Sequence, residues 1–372
     1  MSTPPPPPGK GYYRSLDGLR GIAIILVVLF HDFDYLPFFN FGWIGVDIFF
    51  VLSGFLITTT LLQTMDTPHP ILLFYTKRVL RIFPIYYLSL VLLLFAIPLI
   101  IPDPAYTLTA DKRPWFWFFL QNWAYILGKI RYSQAPHLRH FWSLALEEQY
   151  YLIWPWILLL IKRQRYVIRF ILCILAALFI ARFIIWRTGN ISLTYYFFLL
   201  LRLEGLCIGS ILAMAVFSNA RSILKHLTTA FWCTLAACII ILSLRWSAIA
   251  DIPLLGFGGY LLIALSVSLL IRRLLQSSRH FIFSNSLLVL AGRISFGWYI
   301  FHWPVYLLLR DPIENLLSSR IASSLGCILL SGLLACASYF GYEKYFLQWK
   351  KHLSFSRKGW APDTRPPVNK QT

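Results

Sequence analysis

The sequence predicts an all-α integral membrane protein, a bundle of about ten transmembrane helices with no soluble catalytic domain. Three observations predict it. Of 372 residues, 58% are hydrophobic and only 13% are Asp, Glu, Lys or Arg, whereas a soluble domain carries about 25% charge. Mean hydropathy is +0.65, too high for one soluble core, which needs a polar shell to enclose it. Apolar runs of span length recur along the chain, separated by short basic segments. Glycine (20) and proline (21) are near ordinary usage, which excludes a collagen-like chain and generic disorder.

Residues 1–11 contain the proline tract Pro4 to Pro8 and read as an extended tail. Residues 12–346 form the transmembrane domain, with spans expected at 20–38, 42–63, 82–101, 147–161, 170–186, 193–217, 229–244, 252–271, 286–309 and 321–343. The first apolar run lacks an A-x-A exit and is expected to remain in the protein. Trp115 to Leu127 is apolar but short for a span, so it reads as an interfacial or re-entrant piece of a long loop at 102–146. Residues 347–372 read as a basic, Pro-containing tail, too short for a catalytic domain. The chemistry is therefore expected within the bundle and its loops.

Lys and Arg number 34 against 15 Asp and Glu, a formal charge of +19. No nucleic-acid-binding motif accompanies that excess. The bases cluster between apolar runs, as in Lys77, Arg78 and Arg81, then Lys162, Arg163, Arg165 and Arg169, then Arg272, Arg273 and Arg279. Such clusters set topology and face anionic membrane lipid. They fall on one side of the expected bundle, so both termini are expected in the cytoplasm. The cysteines, Cys173, Cys207, Cys233, Cys238, Cys327 and Cys336, lie in apolar runs without metal-ligand spacing. No metal is expected.

Charged groups inside spans are costly and face a cavity or a partner. In the first span Arg20 and His31 are eleven residues apart, which is three helical turns plus about 20°, so they share a face about 16 Å apart along the axis. Near neutral pH an imidazole is well suited to take a hydroxyl proton, although a lone buried His is more often a satisfied core residue. The second span carries Gly45, Asp47 and Gly54; the glycines permit close helix approach. Arg78 and Arg81, at i,i+3, face the same way and could clamp phosphates or simply mark topology. Ser143 and Glu147 share a face of the fourth span, with Glu148 beside them. The ninth span carries Tyr299 and His302.

The runs Asp17-Gly18-Leu19-Arg20-Gly21 through His31, Gly45-Val46-Asp47 through Ser53-Gly54-Phe55, Arg78-x-x-Arg81, Trp142-Ser143-Leu144 through Glu147, and Tyr299 through His302-Trp303-Pro304 occur in that order. Together they resemble the membrane-bound acyltransferase 3 family across about residues 12–346. Only Arg202-Leu203-Glu204-Gly205 marks residues 164–290, where the likeness is loosest.

The resemblance implies transfer of an acyl group, usually acetyl, from cytoplasmic acyl-CoA to a carbohydrate hydroxyl. The acceptor, free or lipid-linked, would stand at the outer face of a bacterial inner membrane. Acyl-CoA is then a substrate, and no bound cofactor is implied. The family's essential Arg-x10-His carries over to Arg20 and His31, and its Arg-x-x-Arg to Arg78 and Arg81. Some family members append an SGNH-type domain after the last span, and none is visible in this chain.

Together these readings make His31, Arg20, Glu147 and Asp47 the candidate catalytic set, and Arg78 and Arg81 the acyl-CoA-binding pair. Ser143, Glu148, His302 and Tyr299 would support the acceptor side. His31 as general base, or as a carrier of a covalent acyl group, are both open. A transporter or flippase would line its path with similar buried charges, and a succinyl donor or a non-sugar acceptor is a milder alternative.

Overall fold

A computed structural model describes residues 13–187, 202–218, 259–276 and 281–352, except positions 66, 132 and 162, and the isolated positions 232 and 236. Among the described residues the regular structure is helical, with no strand. The principal helices are α1 (Arg14–Asp32), α2 (Ile44–Thr64), α3 (Pro70–Val91), α4 (Trp142–Leu160) and α5 (Gln164–Arg187). They are followed by α6 (Glu204–Phe217), α7 (Tyr260–Gln276), α8 (Ser286–Leu317), α9 (Arg320–Ser338) and α10 (Lys344–His352).

Among the described residues, four helical stretches are long and apolar enough to cross a membrane: Pro37–Thr64, Pro70–Ile100, Gln164–Ile185 and Arg320–Trp349. Helices also occupy the expected first, fourth and ninth spans, but these carry more polar sequence. Apart from the isolated positions 232 and 236, the expected span at 229–244 lies outside the described residues, as do parts of 193–217 and 252–271. A ten-span count is therefore not established by the helices seen. The tail expected from 347 begins instead inside a helix that runs to His352; residues 1–12 and 353–372 lie outside the described residues.

Small residues bring the central helices together. A Cβ at Gly292 of α8 would stand 1.8 Å from the Asp17 carbonyl oxygen of α1, and one at Gly54 of α2 would stand 2.1 Å from the Leu206 carbonyl of α6. Only glycine permits backbones to approach so closely. The outward faces are apolar: Leu325, Leu329 and Leu333 of α9 are 55%, 63% and 56% exposed at i,i+4 spacing. An apolar stripe of this kind faces lipid rather than water.

Two proline-dependent irregularities shape the middle of the molecule. Pro98 follows a π-helical turn at Leu92–Ala96, and a proline has no N–H to give the preceding turn. The Leu93 carbonyl takes its hydrogen bond from His137 Nε2 instead, at 3.0 Å. Pro304 inside α8 likewise cannot donate to the Ile300 carbonyl. His140 Nε2 donates there, at 3.1 Å. The 3₁₀ turn Pro136–Phe141 is thus fastened into the bundle at both of its histidines.

Candidate active site

A cavity lies among α1, α2, α3, α4 and α8. Its lining runs from a cationic end to a hydroxyl end. Arg20, Arg78, Arg81, Glu148, Tyr151 and Ser295 mark the first, and Ser143 and Tyr299 the second. Helix geometry sets that order: Ser143 and Tyr151 of α4 are about 12 Å apart along the axis, and Ser295 and Tyr299 of α8 about 6 Å.

The guanidiniums are held in different ways. Arg20 donates from Nη2 to Ser295 Oγ at 3.1 Å and lies 5.7 Å from the Phe49 ring centroid. Arg78 stacks over Tyr151 at 4.9 Å. Arg81 makes no hydrogen bond or ion pair among the described residues, so its donors are available to a ligand. Glu147 is fixed between Ser53, which donates to Oε1 at 3.0 Å, and Tyr151, which donates to Oε2 at 2.8 Å.

At the other end, the Tyr299 hydroxyl lies 2.6 Å from Ser143 Oγ and donates to the His140 carbonyl at 2.9 Å. Its ring touches those of His140 and His302, with centroids 5.5 and 5.4 Å apart. The His31 ring is 5.1 Å from that of His302 and 4.7 Å from that of Trp303. His31 does not line the cavity. Tyr299 stands between the cavity and a cluster of three imidazoles.

Backbone carbonyls assign the tautomers of that cluster. His31 Nδ1 lies 2.9 Å from the Val27 carbonyl, and His302 Nδ1 lies 2.7 Å from the Tyr299 carbonyl. A carbonyl can only accept, so both Nδ1 atoms carry hydrogen, and the Nε2 lone pair of His31 is available as a base. His140 is buried, and its Nδ1 has no hydrogen-bond partner among the described residues. Outside the spans, burial pulls the His137 imidazole down to about 4, so it is neutral when it donates to Leu93.

The structure thus brings Arg20, Arg78, Arg81, Ser143, Glu147, Glu148 and Tyr299 to one cavity, and places His31 and His302 beyond Tyr299. Glu147 lines that cavity, and His302 does not. Asp47 reaches neither place. It is buried and paired with Arg202 at 2.5 Å, and Arg202 in turn packs on Trp43, Trp142 and Tyr260. Glu204 pairs with Arg182 beside it. His140 was not singled out from the sequence; its signals were a histidine two residues before Trp142-Ser143 and a proline, Pro304, that strips a carbonyl of its donor.

A membrane helical bundle with a cationic cavity abutting buried imidazoles defines an acyl-group-transferring class of protein once its sequence relatives are considered. The model of the acyltransferase domain family, acyltransferase 3, matches residues 13–351, and the chain belongs to that family of acyl-transferring enzymes. It is 31% identical over 372 residues to "Putative peptidoglycan O-acetyltransferase YrhL" of Bacillus subtilis, covering 93% of this chain and 56% of the relative. It is 29% identical over 327 residues to "Peptidoglycan O-acetyltransferase OatA" of Listeria monocytogenes, covering 82% and 51% respectively. The chain thus spans about half the length of these curated relatives. No solved structure matches it.

Proposed function

We propose that the protein transfers a short acyl group, usually acetyl, from acyl-CoA to a hydroxyl of a cell-envelope carbohydrate, with His31 as general base. The observation that carries this reading is the pair of unlike surfaces that meet at Tyr299. On one side lie three guanidiniums suited to the phosphates of CoA; on the other lies an imidazole whose Nε2 lone pair is available. The names of the relatives favour a carbohydrate of the peptidoglycan class, free or lipid-linked, as acceptor.

Arg78 and Arg81 hold the CoA phosphates, and the pantetheine arm extends toward Ser143 and Tyr299. The acceptor hydroxyl approaches from the His31 side. His31 Nε2 takes its proton, the oxygen attacks the thioester carbonyl carbon, and the carbon–sulfur bond breaks. The departing thiolate receives the proton, so CoA leaves as the thiol and His31 returns to neutral. The acyl carbon and the hydroxyl meet beside the Tyr299 ring, at the boundary between the cavity and the imidazoles. In this reading the chain makes about ten spans in a bacterial inner membrane, with both termini in the cytoplasm.

Labelled acyl-CoA supplied to inverted vesicles tests the reaction: label is expected on a carbohydrate acceptor. Uptake of an unmodified glycan without acyl transfer would favour a transporter. Replacing both Arg78 and Arg81 by Ala removes charge-assisted contacts worth about 1.5–3 kcal/mol each. Acyl-CoA affinity should then fall at least tenfold with the fold intact, and unchanged affinity would return both residues to a topology role.

A further inference from the structure

The cavity's hydroxyl end has a boundary that the reaction scheme alone does not require to be so rigid. Val46, Phe49, Phe50 and Leu144 are apolar members of the cavity lining, Phe49 reaching from Arg20 to Tyr299, and Ser143 and Tyr299 join them there. Tyr299 is held from three directions. Its hydroxyl is fixed between Ser143 Oγ and the His140 carbonyl, its ring rests on His140 and His302, and the Phe49 ring meets it edge-on at 6.5 Å. The His140 carbonyl is itself held in place, because the His140 ring donates to the carbonyl that Pro304 leaves open. A side chain so restrained is a wall, and the restraint reaches it from three helical elements.

We propose that Tyr299, pinned by Ser143 and the His140 carbonyl, is the residue that sets the length of the acyl group this protein transfers, restricting the donor to short acyl-CoA thioesters. The inference rests on the donor reading given above and deepens it. An acetyl group seated against Tyr299 brings its carbonyl carbon to the end of the cavity, one helical turn from His302 on α8. Each added methylene holds that carbon further back toward the arginines. The CoA portion is bound as before, but the thioester carbon is held short of the attacking hydroxyl. Misplacement by about 1 Å is enough to lower a rate by about 10²-fold. Longer donors should therefore bind as competitors and transfer poorly, a signature that appears in kcat rather than in affinity.

The test compares acetyl-CoA with butyryl-CoA on the full-length protein in vesicles, reading both affinity and transfer rate for each. In the wild type, both donors should compete for one site, with transfer favouring acetyl by about tenfold or more, the discrimination one or two methylenes can supply. Tyr299→Leu removes the wall and keeps an apolar side chain, so the acetyl-to-butyryl rate ratio should fall about tenfold while CoA affinity holds. Tyr299→Phe keeps the ring and removes the hydroxyl pin, so selectivity should loosen less than in Tyr299→Leu. Should Tyr299→Leu fail to fold, Phe49→Leu opens the facing wall and should shift the ratio in the same direction.

An unchanged ratio in a folded Tyr299→Leu or Phe49→Leu protein would overturn the proposal while leaving the donor site standing. Equal loss with both donors would give Tyr299 a structural role only. Failure of either CoA thioester to bind the wild type would remove the donor reading and this inference together.

Discussion

At His31 the backbone has already divided the work between two ring nitrogens. Nδ1 is committed to Val27 and Nε2 is left with its lone pair. His31→Gln keeps a polar side chain of similar reach and should express normally, yet it lacks a base; transfer should drop by about 10²–10⁴-fold. A well-expressed His31→Gln protein with near-normal transfer would move the role to His302 or His140. Asp47 has the opposite character, since its carboxylate is consumed by Arg202. Removing one member of a buried pair costs about 3–5 kcal/mol, whereas replacing both by apolar residues is often neutral. Asp47→Leu should therefore cost thermal stability, and Asp47→Leu with Arg202→Met should recover it together with transfer. A stable, inactive double variant would restore Asp47 to the chemistry. The shared face of Arg20 and His31 was legible from spacing alone. The fate of Asp47 was not, because its partner lies 155 residues away and no local pattern announces such a pairing.

The elements that carry the site were legible wherever hydrophobic periodicity and charge coincided. Arg78 and Arg81 on α3, and Ser143 and Glu147 on α4, share faces in the sequence and share a cavity in the structure. The 3₁₀ turn Pro136–Phe141 was hidden, since a short irregular segment has no period to detect, and with it His140 was missed. Its anchorage has a pH dependence of definite sign. The His137 imidazole is held at about 4 in the folded protein, below the ordinary value of about 6.5. The neutral anchor thus contributes its full stability above about 6.5 and loses it as pH falls through the folded value near 4. A cysteine placed at Ser133, in the exposed stretch just before this turn, should become more reactive at pH 4 than at pH 7 after correction for thiolate fraction. His137→Gln keeps a donor that does not titrate, so it should flatten that difference; an unaltered profile would place the acid sensitivity elsewhere.

Across the whole molecule, two of the helices that bear the site read least like spans. α1 carries Arg14, Asp17, Arg20 and Asp32, and α8 carries Arg293, Arg310, Asp311 and Glu314, while α2 and α3, which also line the cavity, meet a membrane criterion outright. A hydropathy pattern therefore finds α2 and α3 as spans and understates α1 and α8, where charges interrupt the apolar runs. Orientation is the remaining question at this scale, and α3 with its continuation makes it testable. Arg81 and Ile100 lie on one helical stretch, Pro70–Ile100, and nineteen residues of helix span about 28 Å, close to the thickness of a bilayer core of about 30 Å. Whatever faces one side at Arg81 is therefore opposite whatever follows Ile100, and Ser133 lies in the segment that follows. A cysteine introduced at Ser133 should react with an impermeant thiol reagent added to spheroplasts, and should be protected in inverted vesicles. That result places the arginine end of the cavity toward the cytoplasm, where acyl-CoA is made and kept. The reverse pattern would turn the three guanidiniums outward, and a cytoplasmic thioester could then not be the donor.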